Sequence, residues 1–396
     1  MLWKPVHLVP AHTKFDFMGK RRWALGLSTA INVLSLLGVF FVGLNFGIDF
    51  EGGIAMQVRA KQGAIHLDEL RSTVGSLGVG EVSLQEFGDN TSALIRVQRQ
   101  EGNAACVAHA DKVMKQRAGN GWSVKPAADT HVGDVEFTAP NSLDSAGWRD
   151  AVSRVGLTVL ERQLPRGTTN TAKIDMTLEQ RAEWCQQVAI KLVEDTISNQ
   201  YELRGTESVG PKVGEELMHS GIIAVLATLG AIAIYVWFRF EWQFGVGGMI
   251  STLHDVITTV GLFALLQLEF NLTTLAAILT VAGYSVNDTV VIYDRVRESM
   301  RKYRTMPFRD LINLALNETL SRTILTVSTV ALAVLSLLFL GGEVLRGFSI
   351  AMLWGIVIGT YSSLFIAAPV LYYVQPNRAA VARSAETAKA GASGAS

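Results

Sequence analysis

Five ionisable or polar residues lie within strongly apolar stretches of the chain or directly beside one. They are Asp288 and its neighbour Asn287, Arg322, and the adjacent pair His254 and Asp255. An ionisable side chain inside a membrane helix is costly unless it faces a polar interior, so each of them is a candidate functional group. Loss of solvation favours the protonated carboxyl group and a nearby cation favours the charged one, so an aspartate near an arginine can load and release protons as helices move. These residues are therefore predicted to form a proton relay.

Helical spacing places these residues on three polar stripes, one on each of three apolar segments. The stripes are Ser251, His254, Asp255 and Thr258; Tyr284, Asn287, Asp288 and Val291; and Arg322, Thr326 and Thr329. We expect the three stripes to line one interior path. Static alternatives stay open. The His254–Asp255 pair could be a buried hydrogen-bonded contact that only holds helices together, and the side chain of Arg322 could extend to the membrane surface. Asp288 could be a helix-end charge, roughly 8 Å from the end of its helix at 1.5 Å per residue.

The composition favours a membrane setting. Of the 396 residues 49% are hydrophobic and only 18% are charged, against about 25% charged residues in soluble domains. The 35 basic and 35 acidic residues balance, so there is no general electrostatic reason to bind nucleic acid. The sequence has no phosphate-binding loop, hydrolase triad or cysteine–histidine cluster with zinc spacing. We therefore expect no enzyme, no cofactor and no metal, with a proton gradient as the energy source.

Six stretches are long and apolar enough to cross a bilayer, whose core of about 30 Å takes roughly 20 helical residues. They are residues 23–48, 221–238, 244–268, 272–292, 323–340 and 348–374. The first far exceeds the apolar core of a signal peptide, about 7–15 residues, and no cleavage pattern follows it, so it is interpreted as an uncleaved helix. In the sixth, Gly355 and Gly359 form a G-x-x-x-G pair typical of close helix packing.

The distribution of Lys and Arg predicts the orientation in the membrane. Basic residues concentrate in the N-terminal segment 1–22, in the connection between the fourth and fifth stretches, and in the tail 377–396. By the positive-inside rule, both termini are expected in the cytoplasm and residues 49–218 outside it. The tail is rich in Ala, Ser and Gly and is expected to be disordered.

Residues 49–218 are predicted to form an α+β domain. Strands are expected at 54–58, 82–87 and 93–97, with helices at 67–77 and 104–117. This β-α-β-β-α order is typical of a ferredoxin-like unit, which closes with one more strand; a helix at 177–198 and a strand at 200–207 are further candidates. Cys106 and Cys185 fall in this domain, where a disulfide is chemically allowed. Because both lie on predicted helices, buried free thiols are favoured.

Several longer motifs resemble the SecD/SecF family of the resistance-nodulation-division superfamily, and its SecF branch in particular. Residues 47–53, GIDFEGG, are similar to the family's signature turn, here Gly47, Asp49, Gly52 and Gly53. The glycine pair suits positive φ and close backbone approach. Residues 282–295 resemble the fourth helix of SecF, and residues 210–214, 253–256, 320–323 and 341–348 also match. The resemblance extends over residues 15–100 and 205–375.

The resemblance implies a multi-pass protein of the bacterial inner membrane that uses the proton-motive force to assist protein export. It implies SecD as the paired subunit and the SecYEG translocon, YajC, YidC, preprotein and membrane lipid as further partners. It places the family's intramembrane aspartate at Asp288 and its helix-five arginine at Arg322. Residues 101–200 depart from the family's pattern. They are either an insertion that contacts preprotein or SecD, or a second small domain.

Two other classes of function remain open. One is a half-size exporter of lipids or small amphiphiles, although full-length members of the superfamily carry twelve helices and the signature motifs favour a translocase subunit. The other is a scaffold that stabilises SecD without its own proton path. A scaffold would keep export intact when Asp288 is replaced by asparagine, whereas a proton-coupled subunit would not.

Overall fold

The structure is a computed structural model that describes residues 13–100, 104–127, 134–160 and 163–375. The chain divides into two compact units, the α+β domain at Phe46–Ser220 and a membrane unit formed by Met1–Asn45 with Gly221–Ser396. The tail at 377–396, predicted to be disordered, lies outside the described residues.

Within the described residues, six helices are long and apolar enough to cross a membrane, as predicted. Helices one to six are Arg21–Val42, Lys212–Arg239, Trp242–Leu266, Leu272–Lys302, Phe308–Leu340 and Arg346–Val374. Helix one ends before the predicted residue 48, because Gly43 adopts a φ of 81° that favours glycine. Its last turn, Gly38–Val42, is a π-helix, and a second π-helical turn at Ser363–Ala367 interrupts helix six.

Helices four and five are much longer than their apolar stretches. Helix four continues past residue 292 to Lys302, and helix five begins at Phe308 rather than at residue 323. The charged connection predicted between them is therefore mostly helical. An ion pair links the two extensions, since Arg295 on helix four bonds to Glu318 on helix five at 2.7 Å; Arg295 also bonds to Glu298 of its own helix at 2.5 Å.

Residues 13–19, before helix one, are hydrogen-bonded to the extension of helix five. The side chain of Asn317 donates to the carbonyl of Phe15 and accepts from its amide, both at 2.9 Å. Asn313 accepts from the amide of Met18 at 3.0 Å and donates to Asp16 at 2.8 Å. This last bond is the main reason why the pKa of Asp16 lies below its ordinary value. The segment thus fixes the first turns of the helix that carries Arg322.

Helices three, four and six form the centre of the membrane unit. In an 18-residue apolar stretch of each of these helices, 50%, 44% and 61% is buried. The corresponding share is 17% for helix one and 11% for each of helices two and five. Glycines permit the close packing, since a Cβ on Gly355 would overlap the side chain of Val281 on helix four. A Cβ on Gly359 would meet Ser285 at an ordinary 3.4 Å. The close packing predicted for the glycine pair is confirmed at Gly355, whereas Gly359 has room for a side chain.

Gly355→Ala is expected to destabilise the protein, whereas Gly359→Ala is the matched control with room for a methyl group. The added carbon at position 355 forces helix six away from Val281, and overpacking of this kind costs about 1–3 kcal/mol. Thermal unfolding of the purified full chain in detergent measures the difference. Equal unfolding temperatures for the two variants would contradict this description of the packing.

The α+β domain contains a ferredoxin-like sheet, as predicted. Its elements are α1 Ile48–Glu51, β1 Gly53–Ala60, α2 Leu67–Gly75, β2 Val82–Phe87, β3 Asp89–Val97, α3 Ala104–Ala118, β4 Ser123–Pro126, β5 Val135–Leu143, α4 Ser145–Ser153, β6 Thr169–Ile174, α5 Leu178–Ile197 and β7 Tyr201–Val209. One antiparallel sheet has the order β2-β3-β1-β7, which is the order of a ferredoxin-like fold. On β1, Ile54, Met56 and Val58 alternate into the core and are fully buried.

The segment between β3 and α5 forms a second antiparallel sheet, of order β4-β5-β6, with helices α3 and α4. It is shorter than the predicted 101–200, because α5 belongs to the ferredoxin-like unit, where it takes the place predicted for the helix at 104–117. It is also not a separate domain, since Trp148 and Phe137 of the segment share one continuous apolar core with the first sheet. Alternating patterns could not locate its short strands, which leaves residues 122–171 unassigned from sequence.

Cys106 on α3 and Cys185 on α5 form a disulfide, with their Cα atoms 5.6 Å apart. The preference for buried free thiols is therefore wrong. Both residues are indeed buried on helices, but α3 packs beside α5, which a single sequence does not reveal. The bond joins the inserted segment to the ferredoxin-like unit.

Candidate functional site

Asp288 lies on helix four where that helix contacts helix five. Its Oδ1 accepts a hydrogen bond from Thr323 Oγ1 at 2.9 Å, and the Thr323 side chain is only 1% exposed. Its Oδ2 is buried and has no hydrogen-bond partner among the described residues. Because helix four continues to Lys302, Asp288 is not a helix-end charge, and that alternative is wrong. One oxygen is thus engaged with a neighbouring helix and the other is available for a proton.

Arg322 precedes Thr323 on helix five, and its side chain is exposed. The contact of Asp288 is with Thr323, and within the described part of the chain no ion pair joins Asp288 to Arg322 within 4.0 Å. Thr326 and Thr329 continue the exposed stripe, and each hydroxyl donates to a backbone carbonyl of its own helix, at 2.9 and 2.8 Å. The predicted stripe on helix five therefore faces away from the rest of this chain.

His254 and Asp255 lie on helix three at the centre of the membrane unit, 2% and 0% exposed. His254 Nδ1 is 3.0 Å from Asp255 Oδ1. Asp255 Oδ2 accepts from Ser285 on helix four at 2.5 Å and from Ser362 on helix six at 2.7 Å. Ser251 in turn donates to Ser362 at 2.9 Å. One carboxyl group thus links the three central helices.

The five predicted relay residues do not form one path. Asp288 is bonded to helix five, whereas Asp255 is bonded to Ser285, one turn earlier on helix four, and no described hydrogen bond connects the two networks. Asn287 is exposed on the surface of helix four, away from both. The described hydrogen bonds therefore hold the predicted residues in two networks rather than one, and their role in proton transfer stays a prediction.

Three contributing hydroxyls were not singled out from sequence. Thr323 directly follows Arg322, and Ser285 precedes Asp288 by one turn, so each adjoins a predicted residue. Ser362 continues the packing face of Gly355 and Gly359 on helix six. A search for hydroxyl side chains next to each ionisable group or one turn from it would have found Thr323 and Ser285, whereas only the contact between helices reveals Ser362.

The signature turn encloses the short helix α1. Gly52 and Gly53 have φ values of 73° and 127°, where other L residues are strained, and a Cβ on Gly53 would lie 2.7 Å from the carbonyl oxygen of Val97. Gly47 is extended and precedes α1, with Asp49 in the first turn. The positive φ and close approach predicted for the glycine pair are confirmed.

Comparison with known proteins gives two matching family models. The model of the protein export membrane protein SecD/SecF, C-terminal, matches residues 188–377, and the SecD/SecF GG motif matches residues 38–64. The chain is 36% identical to the protein translocase subunit SecF of Rickettsia bellii, over 93% of this chain and 95% of the relative. It is 37% identical to the subunit of the same name from Cereibacter sphaeroides, over 94% of this chain and 93% of that relative.

Solved structures of SecDF are similar as well. SecDF from Thermus thermophilus, a translocon-associated membrane protein, is 29% identical with a TM-score of 0.64, over 93% of this chain and 39% of that one. SecDF in its super-membrane-facing form gives a TM-score of 0.54, over 99% of this chain and 41% of the other. The chain thus spans about two fifths of these longer proteins. The two bacterial relatives match it almost end to end, so they have an α+β region of comparable length, including the counterpart of residues 101–200.

Proposed function

The chain belongs to the SecF family of protein translocase subunits, and we propose that it serves as the SecF-type subunit of the Sec preprotein translocase. In this role it pairs with SecD and uses the proton-motive force to assist preprotein export across the bacterial inner membrane. The relatives carry the names of translocase subunits, so no reaction is assigned to the chain, and a half-size lipid exporter is not favoured.

The Asp288 carboxyl group carries this proposal. A proton arriving at Oδ2, the oxygen without a partner, removes the negative charge. The bond from Thr323 to Oδ1 then loses its charge assistance, and bonds to ionised groups are about twice as strong as neutral ones. Protonation therefore loosens helix four from helix five, and release of the proton restores the contact. Repeating this cycle down a proton gradient supplies mechanical work to the subunit.

The exposed polar face of helices four and five supports a paired membrane subunit. Arg322, Thr326 and Thr329 on helix five and Asn287 on helix four are all exposed in this chain. A guanidinium that faces lipid is costly, so this face requires cover in the bilayer. We propose that SecD supplies it, since the SecDF chains are more than twice as long as the part that this chain matches.

Thr323→Val is expected to weaken coupling without destroying it. Valine keeps the shape of threonine but removes the donor to Asp288, and a hydrogen bond to a charged group contributes about 1.5–3 kcal/mol. The gradient-dependent rate of export should fall about tenfold or more, because 1.4 kcal/mol corresponds to roughly a factor of ten.

The measurement is export of a Sec-dependent reporter in vesicles that also contain SecD. Thr29→Val is the control, because the hydroxyl of Thr29 on helix one donates to the carbonyl of Leu25 in its own helix and lies outside the face proposed for SecD. Equal rates for the two variants would show that the hydroxyl of Thr323 does not serve coupling.

We propose that both termini face the cytoplasm and that the α+β domain lies outside it, in reach of preprotein and the SecYEG translocon. The basic N-terminal segment and the basic extensions of helices four and five support this orientation. YajC, YidC and membrane lipid are further proposed partners, on the resemblance alone.

Protease added to cells stripped of any outer membrane is expected to cleave within residues 49–218. The loops of the α+β domain are then on the accessible side, whereas the extensions of helices four and five are protected. Mass spectrometry of the fragments identifies the cleavage sites. Cleavage of this domain in inverted vesicles alone would reverse the orientation.

A further inference from the structure

The His254–Asp255 pair is buried at the centre of the membrane unit, and coupling at Asp288 does not use it. Asp255 accepts from three side chains, His254, Ser285 and Ser362, and an ionised carboxylate can only accept. With both serines donating to Oδ2, the ionised state requires the proton of His254 to be on Nδ1, facing Oδ1. The carboxylate thereby fixes one tautomer of the imidazole ring.

This tautomer leaves a bare lone pair on His254 Nε2. Nε2 is buried and has no hydrogen-bond partner among the described residues, although the ring is only 2% exposed. A carboxylate that holds one ring nitrogen and leaves the other free is the arrangement that makes a histidine a base. The free atom is therefore the one at which a proton can be accepted.

The surroundings leave the charge of Asp255 uncompensated while His254 is neutral. Among the described residues, its ion-pair partner within 4.0 Å is His254, and no lysine or arginine takes that place. Helix one has no ionisable side chain between Trp23 and Gly43, and helix three has none besides this pair. One added proton therefore converts a buried net charge of −1 into a neutral ion pair, which a medium of low dielectric constant favours.

The other helices packed around His254 contribute few ionisable groups near it. Helix six contributes Tyr361, whose ring centroid is 6.5 Å from that of His254 and whose hydroxyl donates to the carbonyl of Ala24 on helix one. Helix four contributes Asp288, bonded to Thr323, and Tyr284, which lies within electrostatic range of Asp288. None of these groups forms a hydrogen bond with the imidazole ring.

We propose that His254 and Asp255 form a second proton-binding site, distinct from Asp288, whose accepting atom is His254 Nε2. The bound proton forms an N–H bond at Nε2 and converts neutral histidine beside aspartate into imidazolium beside aspartate. Ser285 and Ser362 hold the carboxylate in place in both states. Because Ser285 and Asp288 are one turn apart on helix four, both proton sites include a residue of the same helix.

The test is a pH titration of the full chain in lipid nanodiscs with ¹⁵N-labelled histidine, read by solid-state NMR. The chain has 7 histidines, so the signals of His254 are those lost in His254→Gln. In alkaline buffer we expect His254 as the tautomer protonated at Nδ1, and in acidic buffer as the doubly protonated ring. A ring that keeps one neutral form wherever the chain stays folded, or that carries its alkaline proton on Nε2, would overturn the proposal.

Asp288→Asn separates this site from the one that drives export. The titration of His254 should persist in that variant even though its coupled export is lost. Disappearance of the titration would show that the two carboxyl groups form one site, contrary to the proposal. Conversely, a failure of Asp288 to control export would leave the titration of His254 unchanged, so the two hypotheses fail independently.

Discussion

Asp288→Asn is expected to reduce Sec-dependent export in cells to the level seen without the subunit, with normal amounts of protein in the membrane. Asparagine keeps the size of aspartate and an oxygen that can accept from Thr323, so it resembles the protonated carboxyl group and holds the weaker of the two contacts permanently. It cannot bind and release a proton at the position of the buried Oδ2. The variant therefore removes the proton site and little else.

Asp294→Asn is the matched control, the same chemical change on the same helix. Asp294 pairs with Arg239 at 3.0 Å, with both side chains more than two fifths exposed, and exposed pairs contribute about 0–1 kcal/mol. Reporter export and immunoblots of membrane fractions measure both variants. Full export in Asp288→Asn would favour the scaffold alternative, and loss of the protein from the membrane would make Asp288 a structural residue.

Asp255→Ala is expected to destabilise the membrane unit strongly. It leaves His254, Ser285 and Ser362 without their shared acceptor, in the space where helices three, four and six meet. Each buried donor left without an acceptor costs about 1–3 kcal/mol, so the loss of all three bonds exceeds the loss of any one of them. Thermal unfolding of detergent-purified protein, followed by size-exclusion chromatography, measures the loss.

Ser362→Ala is the graded comparison for this prediction. It removes one donor of the three and leaves Asp255 bonded to His254 and Ser285, so the loss should be near 1 kcal/mol. If Asp255→Ala unfolds no more easily than Ser362→Ala, the carboxyl group does not hold the three helices together, and its burial needs another explanation.

The sequence predicted much of the framework because its signals are local. Apolar stretches about the length of a bilayer identified the six candidate membrane helices of the described residues, and strand alternation identified the strands of the ferredoxin-like sheet but not its second helix. These signals end where an apolar stretch gives way to charged residues. Residues 293–302 and 308–322 were interpreted as a connection because they are polar, yet they continue helices four and five and are held by ion pairs such as Arg295–Glu318.

The candidate site was predicted only in part, because its geometry depends on which helices are neighbours. Helical spacing shows which residues share a face, but it does not show which neighbouring helix that face meets. Asp288 and Asp255 were therefore assigned to one path, although Thr323 and Ser285 hold them in two. The disulfide between Cys106 and Cys185 was missed in the same way, because it depends on two helices far apart in the sequence packing together.

The central claim is that Asp288 couples a proton gradient to export, and vesicles test it most directly. Export of a Sec-dependent reporter would be followed in vesicles with matched SecD, for the wild type and Asp288→Asn at equal protein levels, with the imposed gradient switched on and off. The wild type is expected to accelerate when the gradient is applied, and Asp288→Asn to show the same rate in both conditions. An equal response of both proteins to the gradient would contradict the claim and assign the coupling to the partner subunit.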